Sequence, residues 1–185
     1  MRIENEKIYP DCPVLARTVE VGGITKSQLI QKLQQHSILM NEYGERLIAD
    51  EKFTTSDTKY SLQTVELTVS NLGFPDGAST TQIFKRASDL GLELCPLELG
   101  AHLRLEYLDQ PEGYSGSPIQ RHQAPSGSIT IASEILKEDD DFPKGFYLRQ
   151  INGVLWLRGY RADHLHIWNH DDHFIFCQTK KTSKK

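Results

Sequence analysis

Hydrophobic and polar positions change their period part-way along the chain. In the first half they recur at helical spacing. Thr25-Lys-Ser-Gln28 is a capping box with Ile24 and Leu29 placed as its hydrophobic staple, and the helix it starts carries Leu29, Ile30 and Leu33 to an end near His36. A shorter helix is predicted from Asn41, with Tyr43, Leu47 and Ile48 turned inward. Ser79-Thr-Thr-Gln82 repeats the capping logic, Ala78 and Ile83 supply the staple, and Ile83, Phe84, Ala87 and Leu90 form a stripe that stops at Gly91. Between these helices Val65, Leu67 and Val69 alternate as a strand does.

The second half alternates with period two. Leu103, Leu105 and Tyr107 interleave with His102, Arg104 and Glu106, which predicts a half-buried strand with Arg104 and Glu106 outward. Ser128–Ser133, Phe146–Gln150, Val154–Arg158 and Phe174–Cys177 are further strands. In FYLRQINGVLWLRGY (Phe146–Tyr160), Asn152-Gly153 lies between two apolar runs, the strongest local signal for a two-residue hairpin. That register pairs Ile151 with Val154, Arg149 with Trp156 and Tyr147 with Arg158. Phe146, Leu148, Leu155 and Leu157 then face the core, and Tyr147, Arg149, Trp156 and Arg158 share the opposite face. The predicted fold is α+β: N-terminal helices packed on a mainly antiparallel sheet formed largely by the C-terminal half. A single domain is expected over residues 1–178, with 179–185 a frayed basic tail. The segment Gln110–Ser126, rich in Gly, Pro, Ser and Gln, is expected to be the most mobile internal part.

Composition narrows the function. A length of 185 residues with 38% hydrophobic and 25% charged residues is that of an ordinary globular chain. No apolar run approaches the ~20 residues that span a bilayer, and the charged N-terminus lacks the apolar core of a secretory signal. Cys12, Cys95 and Cys177 are odd in number and form no CxxC pair. They read as reduced thiols, mostly buried, in a cytoplasmic protein. The formal charge is −4, and setting aside the four lysines of Lys180–Lys185 leaves 17 basic against 25 acidic residues, near −8. A body this acidic argues against duplex nucleic acid as partner.

Three blocks, LGLELCPLELGAHLRLEYLDQPEG (Leu90–Gly113), PSGSITIAS (Pro125–Ser133) and FPKGFYLRQINGVLWLRGY (Phe142–Tyr160), with LGFPDGAS (Leu72–Ser79), resemble an uncharacterised family of short bacterial proteins. The resemblance covers most of residues 20–178 and implies a bacterial, soluble, single-domain protein. It implies no reaction, so it assigns no catalytic role to any residue.

Several constellations compete as sites. DHLHIWNHDDH (Asp163–His173) holds His164, His166, His170 and His173. On a strand His164 and His166 would point to one side, as paired metal ligands must. The spacing matches neither HExxH nor HxHxDH, so a polar turn is the simpler reading and no metal or other cofactor is assigned. GYSGS around Ser115 lacks the last glycine and the strand–turn–helix setting of a nucleophile elbow. Glu98, Glu106, Asp109 and Glu112 gather around Arg104 in the sequence, where a strand leads into a long loop, which makes Arg104 a candidate ligand contact. The hairpin's outer face, Tyr147, Arg149, Trp156 and Arg158, holds the residue types that dominate binding hot spots. The leading expectation is a non-enzymatic binding or regulatory protein that contacts a protein partner or an anionic small molecule through that face. The alternatives are an enzyme, metal-dependent through His164, His166 and His170 or acid–base through Arg104 and its carboxylates, and a single-stranded nucleic-acid binder with Tyr147 and Trp156 stacking on bases.

Overall fold

The computed structural model describes residues 12, 14–113 and 124–178. The lysine tail, Ser115 and the middle of the Gln110–Ser126 segment lie outside them. Fourteen elements follow in order: β1 (Leu15–Val21), α1 (Lys26–Gln35), β2 (Leu39–Met40), α2 (Glu42–Ala49), β3 (Tyr60–Thr68), β4 (Ala78–Ser79), α3 (Thr80–Asp89), β5 (Leu92–Glu93), α4 (Glu98–Glu106), β6 (Ile129–Ile131), β7 (Gly145–Ile151), β8 (Val154–Tyr160), β9 (Ile167–Trp168) and β10 (His173–Gln178). The fold is α+β, as the periodicities predict.

One sheet organises the molecule, in the order β1-β3-β10-β6-β7-β8-β2 with β5 added beside β10. All its pairings are antiparallel except β10 with β6 and β2 with β8. Because successive side chains alternate, the two faces of the sheet serve two cores. Val19, Val21, Ile129, Phe146, Leu148, Leu157 and Ile175 share one with Leu29 and Leu33 of α1, Leu47 and Ile48 of α2, and Leu99 and Leu103 of α4. Val65, Leu67, Phe174 and Phe176 point the other way and meet Ile83 and Ala87 of α3. Three helices therefore cover one face, and α3 covers the β3–β10 side of the other.

The caps form as predicted. Thr25 and Ser79 each accept from the amide three residues on, while Gln28 and Gln82 accept in return from the cap amides. Each such cap contributes about 1 kcal/mol. Asn41 caps α2 through Gly44 and also reaches across to β8, donating to Gly159 O (3.0 Å) and accepting from Gly159 N (2.8 Å). Glycine is required at 159: a Cβ there would stand 2.5 Å from the Tyr43 carbonyl carbon.

One predicted element is overturned. His102–Tyr107 is not a strand; Glu98–Glu106 is helix α4, and Arg104, expected to point outward, is 0% exposed. The physical reason is that α4 is enclosed on most sides. Leu99, Ala101, Leu103 and Arg104 are all buried, so no clean polar stripe marks a helical period. The alternation of Leu103, Leu105 and Tyr107 is incidental. At Gly100 the helix comes so close to β7 that a Cβ would lie 3.1 Å from the Phe146 ring. Strand β1 has no counterpart among the predicted elements.

Candidate functional site

The hairpin forms in the predicted register, with Tyr147 opposite Arg158, Arg149 opposite Trp156 and Ile151 opposite Val154. Both turn residues take positive φ, Asn152 at 51° and Gly153 at 75°, the backbone that a tight turn between twisted strands demands. Glu112 holds the tip by accepting from Gly153 N at 3.0 Å. Phe146, Leu148 and Leu157 are buried in the helix-covered core, and Leu155, half-buried, packs at its margin.

The outer face is graded rather than flat. Tyr147 is only 7% exposed, whereas Arg149, Trp156 and Arg158 are half-buried. Arg149 donates from Nε to Ser126 O at 3.0 Å, and its partial burial lowers its pKa. Arg158 is held differently. Its guanidinium carbon lies 4.9 Å from the Trp156 ring and 5.9 Å from the Tyr147 ring, and it makes no hydrogen bond or ion pair among the described residues. Contact with ring faces restrains an arginine without consuming its N–H donors.

Arg104 stands apart from the other four candidates, on the helix-covered side of the hairpin. Its Nη1 donates to Gln110 Oε1 at 2.6 Å and to Trp156 O at 3.4 Å, and its Nη2 donates to Tyr107 O. Burial lowers its pKa to about 10, so it stays charged at neutral pH. The carboxylates predicted around it are spent elsewhere. Glu98 accepts from Ser56 N and the Tyr60 hydroxyl, Glu106 from Glu20 N, and Glu112 from Gly153 N. No acid–base pair is assembled at Arg104, which instead ties the end of α4 to β8 and to Gln110.

The histidine cluster also disperses. His164 lies in a turn rather than on a strand, His166 meets the Trp168 ring edge-on at 4.6 Å, and His173 bonds Glu66 through Nδ1 at 2.9 Å. Among the described residues no three His, Cys, Asp or Glu side chains are grouped to hold a metal ion. Cys95 and Cys177 come together in the core with their sulfurs 3.1 Å apart, and burial pushes the Cys95 thiol well above its usual pKa.

A cleft of about 610 Å³, which no single segment of the sequence announces, opens at the base of β8. Tyr160, on the same face as Trp156 and Arg158, forms part of its floor with Ser133. The first turn of α3 and Phe84 make one wall, and the loop carrying Glu134, Glu138 and Asp140 makes the other. The column Trp156–Arg158–Tyr160 thus runs from the hairpin tip to this cleft.

No known protein family, curated protein or solved structure matches the chain. No described helix is long and apolar enough to cross a membrane.

Proposed function

We propose that this is a non-enzymatic binding protein whose outer hairpin face docks a protein partner, with Arg158 presented to a carboxylate of that partner. The observation that carries the reading is the state of Arg158: positioned by two aromatic rings, yet with its donors uncommitted among the described residues. Arg46, Arg86 and Arg104 also lack a carboxylate partner but donate to carbonyl oxygens, whereas Arg158 does neither among the described residues. A guanidinium prepaid in orientation gains most from a planar, bidentate anion such as a carboxylate. Trp156 beside it offers the apolar area that anchors interfaces.

Two other readings are less well supported. A small anionic ligand would need an enclosing pocket, and the cleft at the base of β8 is rimmed by acids. Single-stranded nucleic acid would need successive stacking platforms, and Tyr147 is nearly enclosed. A cytoplasmic setting and a bacterial source belong to the same proposal, on the cysteine usage and sequence blocks already described.

The test is affinity capture from cells of the source organism, with wild type, Arg158→Ala and Trp156→Ala chains compared at equal thermal midpoints. A protein retained by wild type and lost from both variants is the expected result. Identical capture by all three would remove the hairpin face as the contact surface.

A further inference from the structure

We infer that the cleft at the base of β8 is a second binding site, one that takes a primary ammonium group carried on an apolar stem. Charge comes first. Glu134, Glu138 and Asp140 stand exposed on the rim with no ion-pair partner among the described residues, and Asp163 joins them. Lys144, the lysine in the lining, offsets only part of that charge, and its ammonium is turned to backbone oxygens rather than to these carboxylates. Its buried Nζ donates to Lys137 O at 3.1 Å and to Asp139 O at 2.7 Å. The rim therefore attracts a cation and repels an anion.

The floor provides an independent observation. Ser133 is 1% exposed and its Oγ has no hydrogen-bond partner, although it lines the cleft. A buried hydroxyl left unsatisfied is destabilising, so a ligand that supplies its partner recovers that free energy. The Tyr160 hydroxyl lies beside it. A Cβ on Gly145 would fall 3.0 Å from Ser133 Oγ and 3.4 Å from Tyr160 Oη, so the two oxygens flank the same glycine, where a side chain would crowd both. Burial raises the Tyr160 phenol, which keeps it neutral and able to accept an N–H.

The remaining lining decides the rest of the ligand. The Phe84 ring and the Leu94 side chain form an apolar wall suited to a methylene stem. The first turn of α3 does not compete for an anion there. Ser79 already accepts from Gln82 N, and the Thr80 hydroxyl accepts from Trp168 Nε1 at 2.8 Å. Acceptors at floor and rim with an apolar wall between them describe an alkylammonium ligand. Two sources share that chemistry, a free amine and a lysine side chain of another protein.

Titration calorimetry of the full chain with n-hexylamine, n-hexanol, hexanoate and N-acetyl-lysine methylamide tests the assignment. Saturable binding of hexylamine is expected, with hexanol and hexanoate at least tenfold weaker. The Glu138→Gln/Asp140→Asn double variant should weaken hexylamine at least fivefold, and Ser133→Ala at least twofold, both with unchanged thermal midpoints. The source follows from whether the lysine derivative binds more tightly than hexylamine or less. Hexanol binding as well as hexylamine, no binding of any amine, or an unchanged affinity in the double variant would each overturn the site. Arg158→Ala should leave amine binding intact, which separates this site from the hairpin contact.

Discussion

Two arginines flank the same hairpin, and the protein treats them in opposite ways. On the helix-covered side Arg104 is enclosed, and both its terminal nitrogens donate to carbonyl oxygens, those of Tyr107, Trp156 and the Gln110 side chain, while its Nε is buried without a partner. On the other side Arg158 leans on Trp156 and Tyr147 and keeps its donors. Carbonyl oxygens take up both terminal nitrogens of Arg104 and full burial closes off the rest, so Arg104 is a structural rivet. Aromatic faces fix a guanidinium without satisfying it, so Arg158 remains chemically available. Arg17 marks the ordinary case between them, paired with Glu66 at 2.8 Å beneath a shared contact with His173.

The contrast can be broken most directly at Arg104. Arg104→Ala should cost roughly 4 kcal/mol, since it opens a cavity and strands the buried Gln110 side chain and backbone acceptors. Denaturant titration would read this, and a loss below about 1 kcal/mol would mean that Arg104 is no rivet. Next in size is Leu148→Ala on the core face of β7, expected to cost about 3 kcal/mol. Trp156→Ala and Arg158→Ala should each cost within roughly 1 kcal/mol, because they remove half-buried groups and, respectively, one and two cation–π contacts. If Trp156→Ala unfolds the chain as readily as Leu148→Ala, both faces of the hairpin are structural and the binding role of Arg158 fails.

The smallest effect is a pH dependence at the Arg17–Glu66–His173 group. Burial alone would raise Glu66, but hydrogen bonds from His173 and Arg17 outweigh it and hold the carboxyl below its ordinary 4.5. The same Glu66 bond raises His173 above its ordinary 6.5. A raised imidazole binds its proton more tightly in the folded chain. Its stabilisation is therefore full below pH 6.5 and is lost as pH climbs through the folded value. The wild-type thermal midpoint should fall slightly from pH 6 to pH 8, and His173→Gln should flatten that slope. An equal slope in the variant would assign the dependence to another group.

What could be read from residues alone follows a physical division. Local signals carried through: the two capping boxes, the Asn41 cap, the Gly91 stop and the Asn152-Gly153 turn each depend on residues within a few positions of one another. The turn fixed the register, and the register fixed which side chains share the Arg158 face. The failures are non-local. Helix α4 reads as a strand because packing against β1, β7 and β8 buries residues that a surface helix would leave polar. Pro96 just ahead of Glu98, in a run of good helix formers, was the signal available there. Nothing in the sequence brings Ser133, Phe84, Glu138 and Tyr160 together, because four separate segments converge at that cleft through the crossing order of the sheet. Nor could periodicity show that Arg158 lacks a partner, which depends on where every carboxylate ends.

Strand β10 sits in the middle of the sheet, with β3 on one side and β6 on the other. It is also the last of the described strands in chain order. Until it pairs, β3 and β6 each present an unpaired edge, and Val65, Leu67 and Ile131 face no partner strand there. Both cores draw on it, since Ile175 belongs to one and Phe174 and Phe176 to the other. β1–β3 and β6–β7–β8 can each pair without it, so β10 acts as a keystone whose six residues join the two halves of the sheet. Until it is in place the β3 and β6 edges are open to pairing with any other extended segment.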